Sequence, residues 1–158
     1  MMKPLCGRTA RGLDSAMPKP AQSGEEKWIA EERQKVIDYL KYQGCRHGGV
    51  ETWPTFHVEP DLALWAVQSI KHDGRIGWWA ISGDLPTDYM SSERGDSPQD
   101  ALRHFSKEWA DVADHMRRGK EHPTMNIGTP DEWPELAEML QARADVLARY
   151  ADEDGWLE

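Results

Sequence analysis

Arg75-Ile76-Gly77-Trp78-Trp79-Ala80-Ile81-Ser82 is the stretch on which the fold turns. It is short, aromatic and β-branched, with Asp73-Gly74 before it and Gly83-Asp84 after it, the pattern of a strand between two turns. Alternation places Ile76, Trp78 and Ala80 on one face and Trp79 with Ile81 on the other. Two indoles on opposite faces cannot share one core. Either helices cover both sides of this strand, or one tryptophan is exposed or lies in a groove. Phe56-His57-Val58 and Tyr89-Met90 are the pairing partners within reach, which predicts a small two- or three-stranded antiparallel sheet.

Outward from the strand the pattern is helical. Trp28, Ile29, Val36, Ile37 and Leu40 recur at helical spacing from Glu25 onward, and Gly44 supplies a stop. Pro60-Asp61 is read as opening a second helix through Leu62, Leu64, Trp65, Val67 and Ile70, apolar nearly all round and therefore central. Ser97-Pro98-Gln99-Asp100 gives the next helix an N-cap, a first-turn proline and an acid at its positive end. Its apolar stripe is Ala101, Leu102, Phe105, Trp109, Val112, Ala113 and Met116, and Gly119 follows as the stop. Thr129-Pro130-Asp131-Glu132 fits a capping box ahead of a last helix carrying Trp133, Leu136, Ala137, Leu140, Ala144 and Leu147. Pro134 suits that helix best if it begins a few residues later. The expectation is an α+β fold, with about four helices packed around the small sheet.

Charge divides the chain. Residues 1–20 carry a local balance of +3, while the remainder holds 15 basic and 27 acidic residues, or −12. Residues 1–24 mix proline, glycine, serine and basic residues without periodicity and read as a disordered basic extension. Residues 25–158 read as a single acidic globular domain. A body of that charge repels phosphate, so nucleic acid and anionic membrane are not expected partners, and a protein with a basic surface is. Neither a secretory leader nor a membrane span is visible in the pattern, and Cys6 and Cys45 do not make a disulfide framework; a cytoplasmic location is expected.

Catalytic signatures are missing. No HExxH, GxSxG, P-loop, GxGxxG or CxxC pattern occurs, and no cofactor or metal site is expected. His57 stands apart from the other histidines because two prolines bracket it in an aromatic stretch. It is positioned to couple with Asp84 or Asp88 as an acid–base pair, which defines the alternative reading of a small enzyme. The turn Gly83-Asp84-Leu85-Pro86-Thr87-Asp88-Tyr89 offers two carboxylates beside a hydroxyl and a phenol, on the kind of loop where functional groups concentrate. Trp53 is the further aromatic nearby. The expected functional surface is therefore Trp53, His57, Trp78, Trp79, Asp84, Asp88 and Tyr89, with tryptophan as the residue enriched at interaction hot spots.

The segments Trp53-Pro54-Thr55-Phe56-His57-Val58-Glu59-Pro60 and Gly77-Trp78-Trp79-Ala80-Ile81-Ser82-Gly83-Asp84-Leu85-Pro86-Thr87-Asp88-Tyr89, together with Glu121-His122-Pro123-Thr124, resemble a bacterial domain-of-unknown-function family of small acidic proteins. The similarity spans about residues 25–155 and brings no activity with it. An aromatic strand running into a Gly-Asp turn in a small acidic protein also resembles the immunity proteins of bacterial toxin systems. That likeness implies a non-enzymatic module that neutralises a toxin by direct binding. The oligomeric state is left open.

Overall fold

The computed structural model describes residues 24–153. The expected basic extension therefore lies outside the described residues, except that Gly24 already belongs to the first helix. Helix α1 runs Gly24–Tyr42, with Glu25 and Glu26 in its first turn and Lys41 in its last, signs that suit the helix dipole. Gly44 follows with φ of 75°, the left-handed geometry that ends a helix at little cost to glycine.

Four strands come next: β1 (Phe56–Val58), β2 (Leu62–Gln68), β3 (Ile76–Gly83) and β4 (Asp88–Ser91). They form an antiparallel meander in the order β1-β2-β3-β4. Strand β2 corrects the helix expected from Pro60-Asp61. Its first six residues are all buried, because the strand is interior and covered on both faces. Such a strand reads as a continuous apolar run instead of an alternating one. It also takes the place beside β3 that Phe56–Val58 was expected to fill, so β1 pairs with β2 while Tyr89 and Met90 pair with β3 as anticipated. The count becomes three α-helices and four strands among the described residues, still α+β.

Helix α2 (Pro98–Arg117) begins as its sequence requires: the Ser97 side chain accepts from the Asp100 amide, and Pro98 sits in the first turn. Every member of its expected apolar stripe is buried. Helix α3 (Trp133–Asp152) starts later than the Thr129 cap implies. Glu132 Oε1 does reach back to the Thr129 amide at 2.8 Å, but it closes a turn that precedes the helix. That leaves Pro134 in the first turn, where its missing N–H costs nothing.

The two faces of the sheet build two cores. Leu62, Leu64, Ala66, Trp79, Ile81 and Met90 pack with the stripes of α2 and α3. Ala63, Trp65, Val67 and Ala80 face the other way, onto Ile29, Val36 and Leu40 of α1. The result is a three-layer sandwich, with α1 on one side and the α2–α3 pair on the other. This answers the question set by the adjacent indoles. Trp79 is 3% exposed on the α2–α3 side and donates Nε1 to the Gly95 carbonyl at 3.0 Å. Trp78 is half-buried against the α1 side. Arg33 ties α1 to the sheet, its guanidinium donating to the Val50 carbonyl at 2.7 Å and the Glu51 carbonyl at 2.9 Å.

Candidate functional site

The seven residues expected to form one surface separate into two sites, with Asp84 and Trp79 outside both. At the β1 edge, His57 lies between two indoles. Its ring centroid is 5.8 Å from that of Trp53, edge-on at 88°, and 6.2 Å from that of Trp28. His57 Nε2 donates to Glu25 Oε2 at 2.9 Å, fixing the imidazole from the start of α1. Trp53 is 49% exposed, with about half of the indole facing solvent while it packs edge-on against His57. Glu25 is the residue that sequence reasoning missed here, because its partner lies 32 positions away and no local pattern links them.

The expected acid–base couple of His57 with Asp84 or Asp88 does not form. His57 is in register with Ala63, on the α1 face, whereas Asp88 is in register with Ile81, on the α2–α3 face. Two strands also separate β1 from β4, roughly 14 Å at the usual inter-strand spacing. Asp84 points outward on the α3 side, its Oδ2 3.3 Å from Arg143. Trp79 lies in the core beneath the sheet and belongs to neither surface.

The second site lies along β4. A groove of about 800 Å³ runs between this strand, the end of α1, α2 and residues 124–127, with Tyr39, Trp78, Asp88, Tyr89, Arg94 and Glu108 among its walls. Three of these, Trp78, Asp88 and Tyr89, belong to the expected surface. Tyr39, Arg94 and Glu108 come from three other elements and carry no sequence signal of shared location. Asp88 is the hinge of the arrangement. Its Oδ2 accepts from Trp109 Nε1 at 3.0 Å and its Oδ1 from the Tyr89 amide at 2.8 Å. Burial pushes the Asp88 carboxyl above the ordinary carboxylate value, against the lowering effect of those two donors, and Glu108 adds to the rise. Tyr39 is pushed up to about 12, chiefly by burial and then by Asp88, and Tyr89 rises for burial first. Both phenols therefore stay neutral at physiological pH. Tyr39 and Tyr89 meet edge-on, their centroids 6.0 Å apart at 74°.

Beside the groove, Asp111, His115 and His122 bring their ligand atoms within 4.8 Å of one another. His122 Nδ1 accepts from the amides of Thr124 and Met125, each at 3.2 Å, so the proton of the neutral ring sits on Nε2 and goes to Asp111 Oδ2 at 2.9 Å. A metal-bound histidine instead donates through its second nitrogen. The cluster therefore fastens the 122–125 turn to α2, which accounts for the Glu121-His122-Pro123-Thr124 segment in physical terms.

A three-layer α/β/α module with an antiparallel meander, an aromatic platform at one sheet edge and a mixed aromatic–carboxylate groove at the other is a class defined by surfaces. The chain belongs to a family described as a domain of unknown function (DUF4826), whose model matches residues 22–156. Comparison with curated proteins and with solved structures finds no match. Among the described residues, no helix is long and apolar enough to cross a membrane.

Proposed function

We propose that this chain is a non-enzymatic protein-binding module of the immunity type, which neutralises a bacterial toxin in the cytoplasm by covering a basic surface on it. The observation that carries the reading is Trp53, half-exposed and pre-positioned by His57 and Glu25 at the open β1 edge. An indole that is rigid before binding gives up little side-chain freedom on association, which is what makes exposed tryptophan effective as an anchor. The −12 balance of residues 21–158 supplies the complementary field for a basic partner and speeds encounter with it.

The test is pairwise binding to the protein encoded beside this one, measured by calorimetry, together with rescue of cells expressing that protein. Trp53→Ala is expected to weaken the complex roughly 30-fold, the loss of an interface anchor. The absence of both binding and rescue removes the immunity reading. Binding that is indifferent to Trp53→Ala moves the interface elsewhere.

A further inference from the structure

We infer that the β4 groove is a separate cation-binding site, which takes an alkylated ammonium or a guanidinium group. Tyr39 and Tyr89 pack edge to face, their centroids 6.0 Å apart at 74°, and with Trp78 they put three aromatic side chains in the walls of one groove. Aromatic faces present the negative part of the ring quadrupole, and a groove with several aromatic walls suits an organic cation. Among the described residues, Glu108 and Asp88 bring two carboxyl groups to these walls against one cation, Arg94, and Asp88 does so with both oxygens already accepting, from Trp109 Nε1 and the Tyr89 amide. The Arg94 guanidinium contacts His104 Nε2 at 3.4 Å on α2. Among the described residues neither the Tyr39 nor the Tyr89 hydroxyl has a hydrogen-bond partner, so both are free to accept from N–H groups of a ligand. An anion finds one cation here and two opposing carboxylates. A neutral apolar ligand leaves those carboxylates desolvated without compensation.

The ligand chemistry is shared by free organic cations and by lysine or arginine side chains of a protein. This site rests on different residues from the Trp53 platform, so the two readings fail independently. Calorimetric titration of the full chain uses tetramethylammonium for the free source. Nα-acetyl-arginine amide and Nα-acetyl-trimethyllysine amide represent the side-chain source, with the citrulline and norleucine analogues as neutral counterparts. Cations are expected to bind at least about 10-fold more tightly than their neutral counterparts. Preference for the amino-acid amides over tetramethylammonium indicates a protein side chain, and the reverse a free cation. Glu108→Gln, an isosteric exchange whose folding is checked by thermal melt, is expected to weaken cation binding several-fold, and Arg94→Gln to strengthen it. For tetramethylammonium, which has no N–H to donate, Tyr89→Phe keeps the ring and is expected to stay within about 2-fold, whereas Tyr89→Leu loses about 5-fold or more. Equal binding of charged and neutral probes, or cation binding unaffected by both Glu108→Gln and Tyr89→Leu, overturns the assignment. No binding of any cation overturns it too.

Discussion

Replacing Trp109 by phenylalanine tests the bond on which the β4 groove is built. Trp109 is fully buried, and its Nε1 donates to Asp88 Oδ2 at 3.0 Å. Phenylalanine keeps an aromatic ring in the core but removes that donor. A hydrogen bond to a charged group contributes about 1.5–3 kcal/mol, and the partial solvent contact of Asp88 argues for the lower end, about 2 kcal/mol. The smaller ring adds about 1 kcal/mol for lost packing. The expected deficit is about 3 kcal/mol at neutral pH, or roughly 6–12 °C in melting temperature for a chain of this size. The pH dependence separates the two contributions. The folded-state value of Asp88 already lies above its ordinary 3.8, and losing the Trp109 donor raises it further. A raised carboxyl contributes stability that is complete below 3.8 and lost as pH rises through the folded-state value. In acid Asp88 is protonated in both proteins, so the deficit shrinks toward the packing part, about 1 kcal/mol. Urea unfolding of wild type and variant from about pH 7 down to about pH 3, below the ordinary carboxyl value of 3.8, measures this. A deficit that stays constant across that range rules out the Trp109–Asp88 bond as its main source. So does one below about 1 kcal/mol at neutral pH.

Gly83→Ala is expected to destabilise the fold by about 3 kcal/mol or more, because the added Cβ collides with the Asp61 carbonyl oxygen where φ is +134°; a thermal melt within about 2 °C of wild type contradicts this. Alkaline absorbance titration of the folded chain is expected to show a phenol ionising near 12 that disappears in Tyr39→Phe. Because the folded-state value is raised, that phenol contributes stability which is lost as pH climbs through about 12. His122→Ala removes the acceptor for the Thr124 and Met125 amides and the link to Asp111. Amide exchange at those two positions is expected to accelerate at least about 10-fold while the core of α2 is unchanged; equal protection at both sites disproves the fastening role.

What was legible in the sequence follows from how much of each element's environment is local. Helix α2 was readable almost residue by residue, because its cap, first-turn proline, stripe and stop all lie within its own segment. Strand β3 was readable from its flanking turns and its alternation. Strand β2 was not, since Leu62–Gln68 is covered on both faces and its apolar run has the period of neither strand nor helix. The centrality inferred for that segment holds, while its secondary structure does not. The same limit governs the sites. Trp53 with His57, and Trp78 with Asp88 and Tyr89, were recognisable as chemistry, but their division between two edges depends on the missed strand. Tyr39, Arg94 and Glu108 reach the groove from three separate elements, and Glu25 reaches His57 across 32 positions. Proximity of that kind exists only after folding.

The Asp88 carboxylate that takes up the Tyr89 amide has a consequence for how this chain meets other chains. A sheet with two open sides invites polymerisation by strand addition. Here one side offers the three residues of β1 and the other the four of β4, where a side chain already occupies the Tyr89 N–H. Main-chain pairing, which accepts almost any extended sequence, is thereby made unattractive on the β4 side. What the β4 side presents beyond its main chain is indole, phenol and carboxylate, so a contact made there would be read through side-chain chemistry.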